Sequence, residues 1–151
     1  MTEATRQTKP PRGQRILRRL WHVLIAGSFL AAFLTTDDSN FGNTHIVTGY
    51  LALGLLVLRI AVGIASPARS WLALPRPSLA ALVRRGGERR GRPPVLAWMA
   101  IVMLLAVGAS VVSGFGADSS KAVEALHGKL SDIALALATV HIAIVTLIFA
   151  G

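Results

Sequence analysis

The sequence contains no cysteine, and this absence removes several kinds of site at once. Without a thiol the chain can form no disulfide framework, thiolate metal site, iron–sulfur cluster or covalently attached c-type haem. Acidic residues are also scarce, because 7 Asp and Glu stand against 16 Lys and Arg, a net charge of +9. Any metal or cofactor site must therefore rely mainly on imidazole nitrogen.

Apolar residues dominate what remains, at 53% of the 151 residues and a mean hydropathy of +0.58. A helix needs about 20 mostly apolar residues to cross a bilayer. Four blocks are long enough, at residues 16–36, 44–64, 95–115 and 126–150. The first is longer than the core of a secretory signal and ends in LTTDDSN, so we expect an uncleaved helix. The sequence predicts an all-α membrane protein, a bundle of four transmembrane helices forming one domain over 16–150.

The basic residues are distributed unevenly along the chain. Six lie within residues 6–19 and eight within 59–92, against two elsewhere. This bias predicts cytoplasmic N- and C-termini, with a flexible basic tail at 1–15 and a basic cytoplasmic loop at 65–94. A short amphipathic piece at 78–85 is expected to lie on the inner leaflet. The positive charge thus reflects topology and anionic lipid headgroups, and no nucleic-acid partner is expected.

All four histidines fall in or at the ends of the predicted helices: His22, His45, His127 and His141. An ionisable side chain at membrane depth is costly and usually functional. The predicted topology places His45 and His127 near the outer surface, and His22 and His141 on the cytoplasmic side. The last helix carries two of them fourteen residues apart, which is about 21 Å and close to four whole turns. One face of that helix therefore offers a ligand to each of two layers.

Two stacked histidine pairs suit two b-type haems with axial imidazole ligands. His22 with His141 would hold the inner haem, and His45 with His127 the outer one. Gly49, one turn after His45, would leave room for a porphyrin inside the bundle.

Two alternatives remain open for these histidines. An outer zinc site could use His45, His127 and Glu124, but it would leave the other pair unexplained. The histidines could instead make structural hydrogen bonds between helices. Either alternative would make the chain a haem-free membrane anchor or a small metal transporter.

Three segments resemble the prokaryotic cytochrome b561 family, whose superfamily includes the b-type cytochrome subunits of nickel-iron hydrogenases. They are RLWHVLIAGSFLAAFLT, HIVTGYLALGLLVLRIAVG and LHGKLSDIALALATVHIAIV. The most specific elements are Trp21 next to His22, the step from His45 to Gly49 with Arg59 and Gly63 following it, and the spacing of the two histidines in the last segment. The resemblance implies two b haems in a four-helix bundle that exchange electrons with a membrane quinone.

Two departures from the family pattern are visible. Val62 stands where the family often has tryptophan before the glycine, and the sequence ends ten residues after His141, where many members continue into a cytoplasmic segment.

We therefore expect a membrane electron carrier between a quinone pool and a redox partner protein: a dehydrogenase, a hydrogenase or another cytochrome. It could act alone or as the cytochrome b subunit of such an enzyme, and a homodimer is compatible with the sequence. Arg18, Arg19 and Arg59 are assigned to haem propionates or quinone headgroups, with lipid anchoring as the alternative. Lys121 and Lys129 could serve the outer propionates. No nucleotide-binding glycine motif or nucleophile constellation suggests other catalysis.

Overall fold

The computed structural model describes residues 11–36, 39–67, 70, 72–76 and 94–150. Within these residues the chain forms four α-helices, joined in part by short 3-10 turns. They are α1 (Arg12–Leu34), α2 (Gly42–Ala65), α3 (Pro94–Gly114) and α4 (Lys121–Ala150).

All four helices begin earlier than hydropathy predicted, and the largest differences are in α1 and α4. α1 starts four residues before the predicted position 16, so residues 12–15 of the expected tail are helical. α4 starts five residues before position 126. Residues 1–10 of the predicted tail, most of the loop at 65–94 and the amphipathic piece at 78–85 lie outside the described residues.

Each of these helices is long and apolar enough to cross a bilayer, with spans of 23, 24, 20 and 28 residues and hydropathies from 1.4 to 2.5. Only 6% to 22% of the most apolar window of each span is buried inside the protein. A bundle this small presents most of its surface to lipid, which explains why large apolar side chains remain exposed. The prediction of an all-α, multi-pass membrane bundle is confirmed.

The helices pack as two antiparallel hairpins. α1 lies along α2 and α3 lies along α4, with α2 and α3 in contact between the hairpins. A small core of Phe29, Val107 and Ala134 joins α1, α3 and α4. The hydroxyls of Ser110 and Ser131 hydrogen-bond across the α3–α4 interface at 2.8 Å. Such small polar residues allow close approach between helices in lipid.

Trp21 links α1 to α2 one position before a histidine. Its indole Nε1 donates a hydrogen bond to the Leu55 carbonyl at 3.0 Å. The guanidinium carbon of Arg59 lies 5.9 Å from the Trp21 ring centre, within the range of a cation–π contact. Arg59 Nη1 also donates to the Leu72 carbonyl at 2.9 Å. Arg59 therefore connects the start of the connecting loop to both helices of the first hairpin.

Gly63 is where that loop packs against α2. Its carbonyl accepts a hydrogen bond from the Leu74 backbone nitrogen at 3.3 Å. A Cβ atom at position 63 would lie 2.7 Å from Leu74 Cγ and 2.8 Å from Arg59 Nη1. The glycine is needed because any side chain would displace the loop.

Gly63→Ala should therefore lower stability by about 1–3 kcal/mol through overpacking. Gly54→Ala is the matched control, since a Cβ at position 54 on the same helix meets nothing within 4 Å. The control should be neutral or stabilising by up to about 1 kcal/mol, because alanine favours helix. Thermal unfolding in detergent, followed by circular dichroism, compares the two. Equal melting temperatures would contradict this role of Gly63.

Candidate functional site

The four histidines come together in two pairs. The ring centres of His22 and His141 are 6.0 Å apart, with their planes inclined by 47°. Those of His45 and His127 are 6.1 Å apart, with their planes inclined by 77°. In each pair one ring comes from the first hairpin and the other from α4. The pairing is the one that depth predicted.

The spacing within each pair matches that of two imidazoles on one metal atom. Two rings that bind the same ion in line, each at about 2.0 Å, place their centres about 6.3 Å apart. Direct ring stacking or an imidazole–imidazole hydrogen bond would bring the two ring centres closer together than this. Since α4 runs unbroken through His127 and His141, the two pairs are separated by about 21 Å along it. The bundle thus brings the four histidines together in two pairs at separate levels.

His45 is oriented by the end of α1. Its Nδ1 lies 2.8 Å from the Ala32 carbonyl oxygen and 3.4 Å from the Thr36 hydroxyl. A carbonyl oxygen only accepts, so the proton of this hydrogen bond sits on Nδ1. The other ring nitrogen, Nε2, then carries the lone pair that can bind a metal. Metal-binding histidines commonly donate their second ring N–H in this way.

His127 is oriented by α3 in the same manner. Its Nδ1 lies 2.9 Å from the Ser110 carbonyl and 3.2 Å from the Ser113 hydroxyl. Gly114 leaves room for the ring, because a Cβ there would be 3.2 Å from His127 Cε1. α3 has no histidine, and none of its residues was predicted to take part in the site, so its contribution was missed. The two serines, three residues apart in an otherwise apolar helix, were the signal that could have shown it.

The His22–His141 pair is held differently. Nδ1 of His141 is buried and has no hydrogen-bond partner among the described residues, and the His22 side chain is exposed. A buried ring nitrogen without a partner is costly. Binding of a further group at this pair would explain why Nδ1 of His141 is buried in the bundle.

A cavity of about 190 Å³, open on one side, lies between His45 and His127. Gly49 lines it, and a Cβ at this position would meet nothing within 4 Å. Tyr50 and Phe115 also line it and touch edge to face, with ring centres 5.1 Å apart. The space beside this pair is open and mostly apolar.

The predicted arginines lie at the opposite end of the bundle from this cavity. Arg59 uses Nη1 for the Leu72 carbonyl, and Arg18 is close enough for the two positive charges to repel. Arg19 lies exposed on α1. Lys121 and Lys129 are exposed on the first turns of α4. Any contact of these cations with a cofactor stays a prediction.

The zinc alternative finds no support in the described part of the chain. No third His, Cys, Asp or Glu joins either histidine pair there to complete a metal site. Zinc sites in proteins normally use three or four such ligands at one point. A planar macrocycle that already fills four coordination positions needs only the two axial imidazoles that each pair offers.

Residues 13–150 match the prokaryotic cytochrome b561 family, so the chain belongs to that family. The match spans all four helices and both histidine pairs. No curated protein and no solved structure matches the chain significantly. The family consists of membrane b-type cytochromes, which implies haem b binding and electron transfer for this protein.

Proposed function

We propose that the protein is a di-haem cytochrome b that moves electrons between a quinone pool and a redox partner. The observation that carries this proposal is the presence of two histidine pairs at metal-bridging spacing, stacked along one face of α4. A haem-free membrane anchor would not need histidine rings held with their centres 6.0 and 6.1 Å apart.

In this proposal His22 and His141 hold one haem, while His45 and His127 hold the other. The haem supplies one-electron chemistry at iron, and the chain sets its ligation, depth and polarity. His45 and His127 present Nε2 because their Nδ1 protons are fixed by carbonyls. Two haem sites about 21 Å apart along α4 divide electron transfer across the bilayer into shorter steps.

The same proposal places both termini in the cytoplasm of a bacterial cell, with the His22–His141 pair on that side. Arg18, Arg19 and Arg59 then lie at the cytoplasmic rim, where guanidinium groups suit propionates or quinone headgroups. Lys121 and Lys129 occupy the corresponding position on the outer side. A dehydrogenase, hydrogenase or cytochrome would exchange electrons with one end of this path.

Electron exchange with a quinol tests the proposal. The purified protein in lipid nanodiscs should develop a reduced b-type spectrum on addition of a soluble menaquinol or ubiquinol analogue, and the matching quinone should reoxidise it. Dithionite gives the full extent of reduction for comparison. Haems that dithionite reduces but that neither quinol reduces would exclude the quinone role while leaving haem binding intact.

A further inference from the structure

His45 and His127 are held by the same arrangement, although the groups that hold them come from different helices. The Nδ1 of each ring is hydrogen-bonded to a backbone carbonyl and to a side-chain hydroxyl a few residues further along the same segment. For His45 these are Ala32 and Thr36, four residues apart. For His127 the carbonyl belongs to Ser110 and the hydroxyl lies three residues later.

Each hydroxyl also bonds to the carbonyl beside it. Thr36 Oγ1 donates to the Ala32 carbonyl at 3.3 Å, and Ser113 Oγ donates to the Ser110 carbonyl at 2.8 Å. Because its proton is used in this way, each hydroxyl turns a lone pair toward the imidazole N–H. The Nδ1 proton is then shared between two acceptors.

Two hydrogen-bond acceptors restrain the orientation of the imidazole ring more than one acceptor can. A single carbonyl fixes the position of Nδ1 but lets the ring turn about the hydrogen bond. A second acceptor beside it fixes the plane of the ring as well. The pair held in this way has planes inclined by 77°, whereas the His22–His141 pair, where His141 Nδ1 has no partner in the part of the chain that the structure describes, is inclined by 47°.

Resting on the proposed function, we infer that Thr36 and Ser113 are positioning residues that hold the imidazoles of His45 and His127 near perpendicular at one haem. In low-spin ferric haem, perpendicular axial imidazoles give an electron paramagnetic resonance signal with a larger maximum g value than planes closer to parallel. Hydrogen bonds at Nδ1 also raise the basicity of the ligands. The haem at this pair should therefore show the larger maximum g value of the two.

The test removes the two hydroxyls in the haem-loaded protein. In Thr36→Val with Ser113→Ala, the maximum g value of the His45–His127 haem should fall and its line should broaden, while the signal of the other haem stays unchanged. Single-haem variants, His22→Ala and His45→Ala, assign the two signals. Thr36→Ser with Ser113→Thr keeps both hydroxyls and should retain the wild-type signal.

Two matched controls remove hydroxyls that hydrogen-bond to a carbonyl of their own helix. Ser28 Oγ donates to the Leu24 carbonyl and Thr139 Oγ1 to the Leu135 carbonyl, each within its own helix. Ser28→Ala and Thr139→Val should leave both signals as they are. A change in either control as large as that in the double variant would overturn the inference.

The remaining outcomes also decide the question. An unchanged signal in a double variant that retains both haems would overturn the positioning role, as would equal shifts in both haems. Loss of the His45–His127 haem supports the role if the hydroxyl-keeping variant retains that haem, and overturns it if that variant loses it too. A wild-type protein without haem would instead defeat the proposed function itself.

Discussion

His22→Ala and His141→Ala should each remove the same haem, and His45→Ala and His127→Ala should each remove the other. Removal of one axial ligand leaves the iron held on one side only, so haem content should fall from two to about one per chain. The ring pairs at 6.0 and 6.1 Å predict which substitutions act alike. Pyridine haemochrome assays and redox titration of each purified variant identify the haem that is lost.

Double substitutions sharpen this experiment. His22→Ala combined with His141→Ala should lose no more haem than either alone, whereas His22→Ala combined with His127→Ala should lose both. The position of the surviving midpoint potential distinguishes one haem from the other. If His22→Ala and His127→Ala removed the same haem, the pairing seen in the bundle would not be the pairing that binds it.

Gly49→Leu should exclude the haem at His45 and His127 without unfolding the protein. Gly49 lines the cavity beside this pair, and a side chain there would meet no protein atom within the first 4 Å. Leucine would project into the space that a porphyrin needs. Haem content should fall to about one per chain while helix content stays unchanged, and the apolar substitution adds no buried polar group.

Gly54→Leu is the matched control for this substitution. Position 54 lies on the same helix and has the same freedom around its Cβ, but it does not line the cavity. The control should keep two haems and the wild-type spectrum. Retention of both haems by Gly49→Leu would show that the cofactor does not occupy this cavity.

The fold and the pairing of the histidines could be predicted because each depends on a local property of the sequence. Long apolar blocks predict spanning helices, and the direction of each helix determines the depth of the residues on it. Once His45 and His127 share a depth, and His22 and His141 share another, the pairs follow. The helix starts were less predictable, since α1 extends through basic turns to Arg12, beyond the apolar run that hydropathy detects.

The supporting contacts could not be predicted in the same way. The hydrogen bond from His127 to the Ser110 carbonyl depends on the rotation of two helices about their own axes, which composition does not specify. Gly63 was visible as a family feature, but its reason, the close approach of Leu74, depends on the path of a loop. The assignment of Arg59 to a haem propionate or quinone headgroup stays a prediction, and its contacts with Trp21 and the Leu72 carbonyl were not predicted.

Haem stoichiometry and spin state of the purified wild-type protein test the two-site account most directly. Protein from haem-replete cells should contain two haems b per chain, both low-spin in the ferric and ferrous states, as expected for two axial imidazoles. A colourless protein, a single haem per chain, or a high-spin haem that binds carbon monoxide readily would contradict it.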